Sequence, residues 1–228
     1  EFRNAVAHYR FDGSLIDSMG NHTLALPTDN NLLNVNATAP LYTEGYAGQA
    51  FDFTGGNGIR LPNDIIRSGE YTVAFWMKAE SLSGYTPAFF AAAATDQWVS
   101  YIPGSAPHFT STSLLWSNVA ENWGQVIHNA TAPVKQWQHV AITYQQGTMR
   151  LYVDGALSGS MPRPDLFTTT EGVFALGVNY GWDVPFNGQI DEFIVYDYAL
   201  GNLDINGAAL NNLTDPSQFS AFIKSALS

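Results

Sequence analysis

The sequence contains no cysteine, and only nine of its 228 residues are lysine or arginine. Without cysteine the chain has no disulfide framework, no thiolate nucleophile and no cysteine-ligated zinc site. The 20 aspartates and glutamates bring the formal net charge to −11. Nucleic acids and anionic membrane surfaces are bound through clustered basic side chains, whereas the basic residues here are scattered singly. The sequence therefore predicts no nucleic-acid partner.

Long apolar runs are missing as well. No stretch approaches the roughly 18 to 20 consecutive apolar residues of a membrane span, so we expect no membrane insertion. The chain opens with Glu1 rather than Met, and we expect it to be a module of a larger protein whose neighbouring domains are among its partners. An acidic composition rich in Gly, Asn and aromatics favours an extracellular or cell-surface location.

The abundant features are aromatic residues, at 14% of the chain, and short segments of alternating polarity. Residues 71–77 alternate with large side chains on both faces, which is typical of a central strand. Residues 138–144 and 149–153 flank Gly147 and predict a β-hairpin. Similar short runs, separated by Gly, Pro and Asn turns, predict an all-β sandwich of antiparallel strands. The other expected strands are residues 5–11, 50–53, 58–61, 88–93, 99–102, 114–116, 125–128, 156–160, 173–178 and 189–198.

The C-terminal residues have a different pattern. Asp215 and Pro216 are typical of a helix start, and an apolar stripe follows them, which predicts a short C-terminal amphipathic helix. The stripe consists of Phe219, Phe222, Ile223 and Leu227. No repeat or break in composition divides the chain. We therefore expect a single domain over residues 1–228, with a core at about 5–200 and a C-terminal extension at 201–228.

Several segments, taken in order, resemble the laminin-G-like branch of the concanavalin A-like jelly rolls, the lectin-glucanase superfamily. The most specific is Trp137-Gln-His-Val-Ala141 together with Leu151-Tyr-Val-Asp-Gly155, and the similar segments run from about Val6 to Leu200. The resemblance implies a jelly-roll sandwich of two antiparallel sheets. The other matching segments are His8-Tyr-Arg-Phe-Asp-Gly-Ser14, Asp17-Ser-Met-Gly-Asn21, Gly48-Gln-Ala-Phe-Asp-Phe53, Tyr71-Thr-Val-Ala-Phe-Trp-Met77, Phe186-Asn-Gly-Gln-Ile-Asp-Glu-Phe193 and Tyr196-Asp-Tyr-Ala-Leu200.

Oxygen-bearing side chains cluster early in the sequence, where Asp12, Asp17 and Asn21 fall within ten residues. Calcium takes six to eight oxygen ligands, commonly from loops. The resemblance implies a structural calcium where the first and last strands meet, with Asp191 as a further ligand. In the alternative interpretation, Asp12 and Asp17 are turn residues that accept hydrogen bonds from their own backbone. The sequence leaves both interpretations open.

Aromatic side chains in loops suggest a second kind of site. Sugar rings stack their C–H faces on exposed aromatic planes, and short polar side chains bind their hydroxyls. The loop with Asn179, Tyr180, Trp182 and Asp183 combines both types, and we expect it to bind an oligosaccharide or polysaccharide. Trp76, Trp137 and His139 lie in core-like strands and are interpreted as structural. Further predicted ligand-binding residues are Trp98, Tyr101, Trp116 and Trp123.

Catalytic patterns are weak by comparison. Jelly-roll glycoside hydrolases place paired carboxylates on one strand, but the seven glutamates here form no such run, and Asp191 and Glu192 are consecutive, so alternation predicts opposite faces. The sequence thus favours a non-catalytic, lectin-like carbohydrate-binding module of a larger secreted or cell-surface protein. One alternative is a protein-interaction or spacer module of a large adhesin. Another is a polysaccharide-active hydrolase or lyase.

Overall fold

The computed structural model describes residues 5–104 and 106–201, which form fifteen β-strands and, within those ranges, no helix. The expected C-terminal helix falls in residues 202–228, outside the described part. We accordingly find, in that part, no helix of the length and apolar character needed to cross a bilayer. The strands are β1 Ala7–Tyr9, β2 Leu26–Thr28, β3 Tyr42–Glu44, β4 Gln49–Thr54, β5 Gly58–Leu61, β6 Glu70–Ala79, β7 Phe89–Ala94, β8 Gln97–Ile102, β9 Ser113–Val119, β10 Asn122–His128, β11 Trp137–Gln145, β12 Thr148–Val153, β13 Ala156–Pro162, β14 Val173–Leu176 and β15 Asn187–Tyr196.

The strands are arranged in two antiparallel sheets. The eight-stranded sheet has the order β13-β12-β11-β6-β15-β4-β3, with β1 also paired to β15. The seven-stranded sheet has the order β10-β9-β8-β7-β14-β5-β2. Neighbours in space are often distant in sequence, as in the pairing of β6 with β15. These features confirm the predicted all-β jelly-roll sandwich.

Strand β6 lies at the centre of its sheet, between β11 and β15. Its Val73, Phe75 and Met77 point into the core between the sheets and are fully buried. Ala74 and Trp76 lie on the opposite face and are buried there as well. The strand is thus covered on both faces, as its alternating large side chains predicted.

Aromatic rings fill much of the space between the sheets. Phe75 of the eight-stranded sheet lies 6.4 Å, between ring centroids, from Tyr101 of the seven-stranded sheet. Phe193 contacts Phe75 from its own sheet and Phe89 from the other, with centroid distances of 6.2 and 6.1 Å. Because each buried aromatic side chain removes a large apolar area from water, these contacts hold the two sheets together.

A second aromatic group covers the outer face of the eight-stranded sheet. The ring of Tyr46 stacks on Trp76 at 3.7 Å between centroids and an angle of 9°, and His139 contacts the same indole edge-on at 5.0 Å. His139 is buried, in agreement with its interpretation as a packed structural histidine. Its Nδ1 has no hydrogen-bond partner among residues 5–104 and 106–201, and burial lowers the pKa of His139 to about 4.

The neutral imidazole of His139 should make stability depend on pH. A histidine pKa lowered from about 6.5 to about 4 means that the unfolded chain binds this proton more readily. The contribution of His139 to the free energy of unfolding is therefore fully present above pH 6.5. It is lost as the pH falls towards 4, which lowers the stability by up to about 3 kcal/mol. Urea unfolding of the wild type and His139→Gln over this range measures the effect. A constant difference between the two proteins at all pH values would contradict it.

Candidate functional site

An aromatic cluster covers the face of the seven-stranded sheet that is turned away from the core. In β8, Val99 and Tyr101 point into the core, so alternation sends Trp98 and Ser100 to the outer face. Trp98 pairs with Asn118 of β9, and Asn118 pairs with Trp123 of β10. Directly paired residues share a face. Three adjacent strands therefore bring the indole rings together.

Within the cluster, Trp98 forms the base and Trp123 part of the rim. The Trp98 ring lies 5.4 Å from Trp116 and 5.9 Å from Trp123, in edge-to-face geometry. Trp116 and Trp123 stack on each other at 5.0 Å. Trp98 is only 8% exposed, whereas Trp123 is 50% exposed. A ligand would therefore contact Trp123 directly, over a well-packed support.

The loop of residues 179–183 supplies the other side of the rim. Asn179, 2% exposed, accepts a hydrogen bond from the amide of Trp182 at 3.0 Å and donates one to the carboxylate of Asp183 at 2.8 Å. Gly181 has a φ of +84°, which glycine adopts without strain. The result is a tight loop that holds Trp182 47% exposed and 6.2 Å from Trp98.

Side chains from elsewhere in the chain hold this loop in place. Asn31 donates from Nδ2 to the carbonyl of Tyr180 at 3.0 Å. The Tyr180 ring packs on Trp182 at 5.0 Å and on Phe90 of β7 at 5.8 Å. Because backbone and ring are both anchored, the position of Trp182 is largely set before any ligand arrives.

Between these rings lies a shallow cleft. Among its described lining residues Asp183 is the one charged side chain, and burial raises the pKa of its carboxyl above the usual range. The cleft thus combines aromatic planes with a hydrogen-bond acceptor at its edge. Hydrolysis of a glycosidic bond by the usual route needs two carboxyl groups that flank the bond, and the lining supplies one. The cleft is lined by Tyr85, Phe90, Trp98, Ser100, Ile102, Trp116, Asn179, Trp182 and Asp183.

Most of the residues expected from the sequence lie together in this cluster, but Tyr101 does not. It is 0% exposed and faces the core, because its three-residue separation from Trp98 puts it on the opposite face of β8. Asn179 belongs to the loop, but its side-chain amide is used in hydrogen bonds within the loop. Tyr85 and Phe90 were not predicted. Phe90 could have been identified from the β7–β8 hairpin, because it pairs with Ser100, which lies on the same face of β8 as Trp98.

The early acidic residues separate into two places. Asp17 accepts hydrogen bonds from the amides of His8, Met19, Asn21 and His22, and contacts the His22 ring at 3.1 Å. It therefore shapes a turn, as the alternative interpretation proposed. The Asn21 side chain donates to the carbonyl of Val6. Asp17 is not among the charges that act on Asp191, which are those of Glu192 and Asp12.

Asp12 and Asp191 lie at a different place, beside the turn of residues 45–48. Asp191, 0% exposed, accepts hydrogen bonds from the amides of Ala47 and Glu192, and Asp12 accepts one from Gln49. Burial raises the pKa of Asp191 to about 7, and the charges of Glu192 and Asp12 act in the same direction. Within the described part, no three His, Cys, Asp or Glu side chains are grouped to hold a metal ion.

The expectation that Asp191 and Glu192 point to opposite faces is wrong. A β-bulge between Asp191 and Ile194 gives Glu192 a φ of +51°, which breaks the alternation. Glu192 contacts the ring of His8, which lies on the outer face. Both carboxylates are nonetheless buried and lie outside the aromatic cleft.

Comparison with known proteins agrees with the fold. Domain 4 of AbnA, a GH43 extracellular arabinanase from Geobacillus stearothermophilus, solved in complex with arabinotriose, is 35% identical, with a TM-score of 0.84 over 92% of this chain and 100% of that domain. The binding domains of Paraclostridial Mosquitocidal Protein 1 and botulinum neurotoxin serotype D share the fold at 14% and 18% identity, with TM-scores of 0.68 and 0.65.

These two toxin domains are longer. The match covers 92% and 93% of this chain but 52% and 54% of theirs. Comparison with curated protein sequences gives no match. A laminin-G-type family model, described as the concanavalin A-like lectin/glucanases superfamily, matches residues 53–206, more than half of the chain. With the two-sheet fold and the 35% identical arabinanase domain, this match shows that the chain belongs to the concanavalin A-like lectin/glucanases superfamily.

Proposed function

We propose that this domain is a non-catalytic carbohydrate-binding module whose binding site is the aromatic cluster of the seven-stranded sheet. The observation that carries the proposal is the pair of half-exposed rings, Trp123 and Trp182, on either side of the buried Trp98. A sugar chain lying across them would stack on both. The 35% identical arabinanase domain, solved with arabinotriose, supports an oligosaccharide ligand.

The polar edge of the cleft would orient the sugar. Asp183 has one carboxylate oxygen engaged by Asn179, which leaves the other able to accept a hydroxyl hydrogen. Ser100 lies in the same lining and offers a further hydroxyl. Because Asn179 and Asn31 already fix the loop, little conformational entropy remains to be lost on binding. Affinity would then come mainly from the release of water from the rings.

The setting of the module is part of the proposal. The similar arabinanase domain is one domain of an extracellular enzyme, which supports a module of a larger secreted or cell-surface protein here. A spacer or protein-interaction module of an adhesin remains the second candidate. It predicts no glycan binding at the cluster, so the experiment below distinguishes the two.

Removal of either rim tryptophan should abolish most of the binding. Calorimetric titration with arabinotriose and a panel of neutral trisaccharides should detect a ligand for the wild type. Trp182→Ala and Trp123→Ala should each weaken its binding by about 30-fold, which corresponds to about 2 kcal/mol, as for other central aromatic anchors.

Trp137→Ala is the matched control, because Trp137 is a partly exposed tryptophan of the eight-stranded sheet, where it contacts Tyr46 and Lys78. It should bind as the wild type does. Circular dichroism should give the same fold for all variants. The proposal would be overturned if the wild type bound none of the saccharides, or if the control and rim variants lost equal binding affinity.

We further propose that a structural calcium ion binds at Asp12 and Asp191. The residues fit such an ion, because Asp191 is a fully buried carboxylate that accepts only backbone hydrogen bonds, and within the described part no basic side chain pairs with it. Asp12 lies close enough to act on its charge. Backbone carbonyls of the turn at residues 45–48 would supply further oxygens. The ion would hold this turn against β15.

Calcium should then raise the melting temperature of protein treated with EDTA. Saturation at 100 times Kd adds about 2.7 kcal/mol, which for a domain of this size corresponds to roughly 5 to 10 °C. Asp191→Asn and Asp12→Asn should remove the response. Asp17→Asn should lower the starting temperature, since its turn loses bonds, yet retain the response. Differential scanning fluorimetry measures all four proteins, and an unchanged wild-type melting temperature would refute the site.

A further inference from the structure

The floor of the aromatic cleft follows one strand of the seven-stranded sheet. Trp98, Ser100 and Ile102 alternate along β8, so their side chains share its outer face, and all three line the cleft. Strand β8 lies between β7 and β9. The cleft is therefore a slot that runs along β8, with Trp98 at one end and Ile102 at the other.

A bridge of residues crosses β8 at one end of this slot. Thr86, which precedes β7, donates from Oγ1 to the carbonyl of Val184 at 2.7 Å. Its neighbour Tyr85 stacks on Trp116 of β9, with 5.0 Å between ring centroids. Because β8 lies between β7 and β9, this connection passes over it. Asp183 precedes Val184 and lines the cleft, so the bridge continues the wall that its loop forms.

The strand register places the bridge at the Ile102 end of the slot. Strands β7 and β8 are antiparallel, and Phe89 pairs with Tyr101. Thr86 precedes Phe89 in the chain and therefore lies beyond Ile102 in the direction of β8. Thr86 is 5% exposed, and its bond to a backbone carbonyl holds the two loops together. The slot is thus closed at this end.

The Trp98 end of the slot is open. No residue of the β7–β8 turn is among the described residues that line the cleft, and the ring beside Trp98 is that of the half-exposed Trp123 in β10. Arg163, which follows β13 and is 6% exposed, donates from Nη1 to the carbonyl of Asn122 at 2.7 Å. A Cβ atom at Gly124 would point at this guanidinium, so Arg163 supports β10 from the face opposite to the Trp123 ring.

We propose that the site binds the end of a glycan chain rather than its interior. This inference rests on the proposed function of the cluster. The terminal sugar would lie in the slot against Trp182, and the chain would leave over Trp98 towards Trp123. The bridge at Tyr85 blocks the opposite direction. An internal sugar has a neighbour on both sides, so it would need a slot that is open at both ends.

The polar wall of the slot favours a chain end as well. A terminal sugar carries a free hydroxyl where an internal sugar carries a glycosidic bond. A hydroxyl can donate a hydrogen bond, whereas a glycosidic oxygen can only accept one. Asp183 lies in the wall next to the bridge and needs a donor, since a carboxylate that is covered by a ligand without a hydrogen bond is costly.

The number of domains bound to each polysaccharide chain tests this inference. Isothermal titration calorimetry compares arabinotriose and the other neutral trisaccharides with linear polysaccharides of the same repeating unit and known chain length. We expect one wild-type domain per chain, however long the chain is, with an affinity per chain within about twofold of that for the trisaccharide. Binding of several domains along each chain would overturn end recognition and leave the proposed function intact. Failure to bind any saccharide would overturn the proposed function as well.

Tyr85→Ala removes the ring from the bridge and should open the slot. The variant should then place several domains on each polysaccharide chain, because sugars on both sides of the slot would fit. His108→Ala is the matched control, since His108 is an exposed ring 6.3 Å from Tyr85 that is not among the described lining residues. The control should keep one domain per chain. If Tyr85 only supports Trp116, its removal will weaken trisaccharide and polysaccharide binding equally at one domain per chain, which would overturn the bridge as the cause of end recognition.

Discussion

The core between the two sheets determines where every ring of the candidate site lies. Each strand of the seven-stranded sheet has one face in that core, so Val99 and Tyr101 fix the height and twist at which Trp98 emerges on the other face. The hydrogen-bonded register then sets Trp123 beside it. Side chains on adjacent strands of a packed sheet have little freedom to move apart. The outer face is consequently a rigid surface, and its shape is a product of interior packing.

The loops add what the sheet alone lacks, which is a ring raised above the surface. Asn179 uses both ends of its amide to fold residues 179–183, and Asn31 ties that loop to a distant segment. Trp182 and Trp123 thereby lie on the two sides of Trp98, at 6.2 and 5.9 Å between ring centroids. A rigid strand and an anchored loop each contribute one half-exposed ring, and the buried Trp98 lies between them.

The sequence predicts the longer strands well, because their alternating side chains reflect two-sided burial. The bounds of β5, Gly58–Leu61, agree with the prediction residue for residue. The short strands β2 and β3 were missed, because three residues are too few to show alternation and β2 also contains Pro27. Tyr101 was grouped with Trp98 because the two are close in sequence, although their separation of three residues places them on opposite faces of β8. The bulge at Glu192 and the contact of Arg163 with β10 depend on pairing across the fold, and no local pattern encodes them.

The position of Arg163 also bears on how the domain avoids self-association. Strand β10 is the last of its sheet, and the exposed edge of a sheet is a template for pairing with another chain. The guanidinium of Arg163 donates a hydrogen bond to the carbonyl of Asn122 on that edge. Pro162 and Pro164, which flank Arg163 in the sequence, have no amide hydrogen to donate to an incoming strand. A buried positive charge at such an edge is costly to cover with a further strand. The domain can therefore carry a hydrophobic ring at its margin and still resist growth into larger sheets.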